Sequence, residues 1–234
     1  MEDKIPTVTQ TNPKDFKVLF LRKKDNDYAQ RAENYIRKYF NNPIIFTGGR
    51  KDKLPAEVLN WHGDLMISFI SSWIYPPRLL SNASFAAINF HPGSPEYPGT
   101  GCTNFAVYEG AKEYGITCHH MKAGVDSGSI IDVKRFPVKE EDTVYGITQH
   151  CYQLIEDSFY EIMNGILQMH PMPVTNEQWK RKPFTRKQLD ELCTITPDMP
   201  GDEVERRIKA TTYKTPWAIT KIGNHIFKLQ AESK

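Results

Sequence analysis

The chain of 234 residues is 39% hydrophobic and 12% aromatic, enough to bury one sizeable core with a small subdomain appended. Its 30 Lys+Arg stand against 28 Asp+Glu, a balance that supplies little of the attraction nucleic acids and acidic membranes draw on and favours a small-molecule substrate over either partner. The four cysteines, Cys102, Cys118, Cys151 and Cys193, form no C-x-x-C pair, no run approaches the ~20 apolar residues of a membrane span, and the opening MEDKIPTVTQTNPKD lacks a signal peptide's apolar stretch, so a soluble cytoplasmic protein is expected.

Residues 1–14 carry no periodicity and read as a flexible N-terminal arm. Phe16 to Leu21 (FKVLFL) is a buried-strand pattern, and Asp25 to Phe40 follows with helical spacing through Tyr28, Ala32, Tyr35, Ile36 and Phe40. Pro43 to Thr47, Asp64 to Ile70 and Ala86 to Phe90 read as further strands. Continuously apolar strands alternating with helical segments predict an α/β, Rossmann-like, mostly parallel sheet with helices on both faces. The turn Leu21-Arg22-Lys23-Lys24-Asp25 holds no glycine, so the backbone cradle of a dinucleotide pyrophosphate is absent and a nicotinamide enzyme is not expected.

Gly115 to Met121 and Ile130 to Val138 read as strands around a Gly-rich turn, and Asp142-Thr143 precedes a long helix through Ile147, Cys151, Leu154, Phe159, Ile162 and Ile166. A catalytic domain over 15–170 is therefore expected. Residues 171–234 read as a linker and a small C-terminal subdomain: Pro-rich and charged to about 200, helical from Gly201 to Thr211, and a β-hairpin from Trp217 to Leu229 broken at Gly223-Asn224. That hairpin is an expected dimer edge.

Chemistry concentrates at Asn89-Phe90-His91, where a buried strand meets the loop HPGSPEYPGTG. Residues i and i+2 of an extended segment project to one side, so Asn89 and His91 share one space at the carboxyl end of a strand, where α/β folds place ligands. For the pair alone, a capping Asn beside a partly exposed His is the better explanation. The later turn Gly124-Val125-Asp126-Ser127-Gly128-Ser129-Ile130-Ile131 tips that balance.

A strand ending in N-x-H-P, a Pro/Gly loop, a helix, a G-[IV]-T strand and a V-D-x-G-x-I-I turn together resemble the folate-dependent formyltransferases, over roughly residues 60–165 and more faintly over 203–229. That family includes methionyl-tRNA formyltransferases, glycinamide ribonucleotide transformylases and sugar N-formyltransferases. The resemblance implies Asn89, His91 and Asp126 as the catalytic set, acting on an amine that attacks the formyl carbon of 10-formyltetrahydrofolate, with no metal. It places Phe69, Ile70, Trp73 and Ile74 at the folate, where ordinary core packing is the competing explanation, and His119 beside the site. Glu96, Tyr97 and Lys122 are candidate acceptor contacts.

The loop departs from the family's common Ser-Leu-Leu-Pro, showing Gly93-Ser94-Pro95-Glu96-Tyr97-Pro98 instead. With the tail ending about five residues after its last expected strand, this favours a sugar enzyme of lipopolysaccharide O-antigen assembly. The expected acceptor is a nucleotide-linked amino sugar, foremost dTDP-4-amino-4,6-dideoxyglucose. A methionyl-tRNA or purine-pathway enzyme and a folate-binding hydrolase remain the alternatives.

Overall fold

The computed structural model describes residues 12–230; most of the expected N-terminal arm lies outside that range. Nine strands and six α-helices follow in chain order: β1 (Val18–Lys23), α1 (Asp27–Tyr39), β2 (Ile44–Gly48), β3 (Gly63–Phe69), α2 (Pro77–Leu80), β4 (Ala83–His91), α3 (Cys102–Tyr108), β5 (Glu113–His120), β6 (Ile130–Pro137), α4 (Val144–Leu167), α5 (Arg186–Leu192), β7 (Thr194–Ile195), α6 (Gly201–Thr211), β8 (Ile219–Ile222) and β9 (His225–Lys228). The large sheet has the order β2-β1-β3-β4-β5-β6.

Pairings from β2 to β4 are parallel, and β4–β5 and β5–β6 are antiparallel. Five of the six strands therefore run the same way, as expected of a mostly parallel sheet, with β5 alone reversed. Residues 121–129 join β5 to β6, too short for the dozen or so residues of a parallel crossover.

Period-two alternation sends the two faces of each central strand to different partners. Val18 and Phe20 of β1, with Leu65, Ile67 and Phe69 of β3, meet α1 and α4 on one face. Leu19, Leu21 and Met66 meet Val58, Trp61, Tyr75 and Leu79 on the other. Phe159 of α4 lies 6.1 Å from Phe20, 5.3 Å from Phe69 and 5.5 Å from Phe90 by ring centroids, contacts worth about 0.5–1.5 kcal/mol each beyond area burial. The same helix is clamped to α1 by a bidentate pair, Arg31 on Glu156 at 2.6 and 2.7 Å.

Caps set the helix starts. Asn26 accepts from Ala29 N, Thr143 from Gly146 N, and Thr185 and Gln188 form a reciprocal capping box. Helix α5 occupies a stretch expected to be linker: only Leu189 and Leu192 are buried in its seven residues, too few for periodicity to announce it. Strands β7, β8 and β9 form the second sheet, with Gly223 at φ 56° in the hairpin turn.

Candidate active site

The parallel strands end in a cleft of about 910 Å³, at the edge where open α/β sheets take ligands. Asn89 and His91 of β4 line it together with Asp126, which sits on the β5–β6 loop at φ 41°. Aspartate is among the few side chains at ease in that left-handed region. Ile70, also on the cleft wall, has φ 55°; a β-branched residue there is strained, of order 1–3 kcal/mol.

Asp126 is wedged between two imidazoles. Its Oδ2 accepts from Gly99 N at 2.7 Å and lies 3.4 Å from His91 Nδ1, and its Oδ1 lies 3.3 Å from His119 Nε2. All three groups are buried, at 8, 6 and 2% exposure for Asp126, His91 and His119. Burial pushes the Asp126 carboxyl up, but the His91 charge, then the hydrogen bond and charge of His119, outweigh it and hold the carboxyl well below the usual range. His91 is lowered: burial disfavours its imidazolium more strongly than Asp126 favours it.

The far side of each ring meets a main-chain carbonyl. His91 Nε2 is 3.3 Å from Tyr97 O, and His119 Nδ1 is 2.9 Å from His120 O. Asn89 Nδ2 is 3.1 Å from His119 Nε2, which completes the cluster. The loop after His91 is pinned from β5: Tyr114 Oη donates to Pro92 O at 3.0 Å and Thr117 Oγ1 to Gly93 O at 2.8 Å. Gly93 has no room for a side chain, since a Cβ would lie 2.5 Å from His91 Nε2.

One wall of the cleft is apolar, built from Ile70, Trp73, Ile74, Tyr75, Met121 and Val125. Ile74 is 75% and Val125 44% exposed at its mouth. Trp73 crosses over Gly48, whose Cβ would lie 2.0 Å from the indole, and donates Nε1–H to Asp52 O at 2.9 Å. Cationic and aromatic residues line the same cleft: Lys23, Lys24, Arg50, Lys51 and Arg186, with Tyr152 and Trp217. Lys23 Nζ donates to Tyr152 Oη at 2.6 Å; Trp217 lies beside Tyr213 with ring centroids 6.2 Å apart. Burial first, and the neighbouring Arg186 charge after it, lower Arg50.

Among the residues singled out from sequence, Asn89, His91, Asp126 and His119 converge, and Ile70, Trp73, Ile74 and Lys122 line the cleft. Three lie elsewhere. Phe69 faces the α1/α4 core at 0% exposure, because alternation along β3 turns it inward. Glu96 is drawn away by Arg135 at 3.2 Å, and Tyr97 is packed beside Tyr114 and Phe184, presenting only its carbonyl to His91. The cationic lining was missed, although Lys23-Lys24 at the carboxyl end of β1 marked it: β1 sits where the strand order reverses.

Among the described residues no group of three or more His, Cys, Asp or Glu is placed to hold a metal ion, and no helix is long and apolar enough to cross a membrane. Residues 9–171 match the family model described as formyl transferase. A methionyl-tRNA formyltransferase of Listeria innocua is 32% identical over 176 residues, 74% of this chain and 55% of that protein. A GDP-perosamine N-formyltransferase of Brucella melitensis is 25% identical over 170 residues, 72% and 64% of the two chains. The chain thus spans between half and two thirds of these curated relatives. In fold it is similar to a sugar N-formyltransferase from a Shewanella species (TM-score 0.72, 17% identity, 93% and 98% covered). It is also similar to a Helicobacter canadensis N-formyltransferase solved with folinic acid and dTDP-3-aminofucose (0.69, 17%, 89% and 84%). With the matched model covering well over half of its residues, the chain belongs to the formyl transferase family.

Proposed function

We propose that the protein is a sugar N-formyltransferase that uses 10-formyltetrahydrofolate to formylate the amine of a nucleotide-linked amino sugar. The observation that carries this reading is the lining of the cleft: apolar side chains and a set of cations share one cavity with Asn89, His91 and Asp126. Two acceptor phosphates match Lys23, Arg50 and Arg186, charge-assisted partners worth roughly twice a neutral hydrogen bond. Trp217, on the cleft lining, offers a base an aromatic face. Names among the relatives, GDP-perosamine and dTDP-3-aminofucose, agree with such an acceptor.

The residues present fit a folate. Ile74 and Val125 are large apolar side chains left uncovered at the cleft mouth, and a flat pterin against Ile70, Trp73 and Met121 would take them out of water. When bound, the folate supplies the formyl carbon. Asn89 and His91 then donate toward the oxygen on which charge gathers, an effect of ~10²–10³ in rate per donor. Asp126, ionised and anchored by Gly99 N, steadies charge on His91 as the amine gives up its proton, help of ~10²–10⁴. His119 holds Asn89 and Asp126 in register.

We place dTDP-4-amino-4,6-dideoxyglucose first among acceptors, in the cytoplasmic assembly of lipopolysaccharide O-antigen, with two copies pairing along the exposed β9 edge. A transfer-RNA reading has one specific support, the methionyl-tRNA formyltransferases among the sequence relatives. Incubating the protein with 10-formyltetrahydrofolate and a panel of dTDP- and GDP-linked amino sugars, initiator methionyl-tRNA and glycinamide ribonucleotide tests both. A formyl mass increment on a nucleotide sugar is expected; equal or better efficiency with either of the last two acceptors overturns the proposal.

A further inference from the structure

Between α4 and α5, residues 170–185 run as a strap along the loop that follows His91. Lys180 N donates to Pro95 O at 3.0 Å and Phe184 N to Pro98 O at 2.9 Å, while Thr100 N returns to Phe184 O at 2.8 Å. Phe184 lies flat on Phe105 with centroids 3.8 Å apart. Bidentate pairs fasten the strap further, Arg135 on Glu177 at 2.5 and 3.2 Å and Arg181 on Glu109 at 2.7 and 3.0 Å.

From this strap Trp179 reaches the Asp126 cluster. Its indole stands edge-on to both imidazoles, 5.1 Å from His119 at 86° and 6.0 Å from His91 at 69°. Its Nε1–H donates to Gly128 O at 2.8 Å. Gly128 in turn lies so close to His120 O that a Cβ would be 1.6 Å from it, and that same carbonyl accepts the Nδ1–H of His119. One side chain therefore touches the two rings that flank Asp126 and the main chain that orients one of them.

We propose that Trp179 is a positioning residue: it walls the His91 and His119 rings off from water and, through Gly128, holds them on Asp126, so that the strap and the reacting end of the cleft act as one unit. Edge-to-face contact fixes the plane of an aromatic ring as well as burying it. The titratable groups facing His91 are Asp126 from the β5–β6 loop and His119 from β5, with the Tyr97 carbonyl on its far side; from the strap it meets uncharged Trp179. Removing the indole leaves Asp126 in place and admits water, so the burial that holds His91 down is relieved and its titration rises toward the ordinary imidazole value.

The test is an NMR titration of histidine-labelled protein, with His91 assigned by comparison with His91→Gln. It rests on the proposed function only for the role given to His91, and because neither donor nor acceptor is added, its failure is separate from failure of the transferase reading. Trp179→Ala is expected to raise the His91 midpoint by about one pH unit. Trp179→Phe keeps a ring against His91 and should leave its midpoint near wild type. A folded Trp179→Ala protein with an unmoved His91 overturns the proposal. If that variant does not fold, Trp179→Leu and the wild-type protein decide: no His91 shift in the former, or no cross-relaxation between the Trp179 indole and both imidazoles in the latter, overturns it equally.

Discussion

Asp126→Asn removes a charge while keeping the side chain's shape, and asparagine shares aspartate's tolerance of the left-handed backbone, here φ 41°. The carboxylate is 3.4 Å from His91 Nδ1 and 3.3 Å from His119 Nε2. At an effective dielectric of about 20 a full charge pair at that separation gives roughly 5 kcal/mol as an upper limit. Opposite charges in proteins move a pKa by about 1–3, or roughly 1.4–4 kcal/mol. His91, already lowered by burial, should fall further by that range, and the charge that steadies His91 during proton transfer is lost besides. The expected result is a kcat lower by ~10²–10⁴ with donor affinity nearly unchanged, read as kcat and KM across pH 5–9.

Stability supplies a second readout. The folded Asp126 carboxyl is depressed relative to an unfolded value near ~3.9, so its contribution is present above that value and lost as pH falls through the folded one. The urea-midpoint gap between wild type and Asp126→Asn should therefore be widest near neutrality and narrow in acid. A folded Asn variant with the wild-type kcat and pH profile would refute the reasoning, leaving Asp126 a turn residue.

Asn89→Ala and His91→Ala should each lower kcat by ~10²–10³ while circular dichroism and melting stay near wild type; near-normal turnover in both would remove them from the chemistry. Lys23→Ala and Arg50→Ala should raise KM for a nucleotide-linked acceptor about tenfold or more without changing KM for the donor, since charge-assisted hydrogen bonds are worth about 1.5–3 kcal/mol; a matching rise in donor KM would show that these cations serve the folate. Gly128→Ala places a methyl 1.6 Å from His120 O, so the β5–β6 loop must shift and thermal melting should fall by several degrees; an unaltered melting curve would show that the close approach is absent.

Much of the architecture was legible in the chain. The apolar runs of β1, β3 and β4, the helical spacing of α1 and α4, and Gly223-Asn224 between hairpin strands each depend on neighbours a few residues away, the range over which periodicity and turn chemistry act. Asn89 and His91 were legible for the same reason, being two residues apart on a strand that ends at a loop. Helix α5 was not, because seven residues with two buried leucines carry no detectable period.

Other properties belong to the tertiary structure. Phe69 reads as a cleft residue until the register of β3 with β1 and β4 turns it into the core, and Glu96 reads as an acceptor contact until Arg135 pulls it aside. The cationic lining joins Lys23, Arg50 and Arg186 from three separate segments, and Trp179 meets His91 and His119 from a strap some sixty or more residues further along the chain. Local spacing determined the elements and the Asn-x-His pair. Which side chains share a pocket, which charges lose their water and which histidine ring faces Asp126 were decided only when the sheet order and the long connections brought distant residues within hydrogen-bonding distance, since burial and charge coupling depend on separation in space and not along the chain.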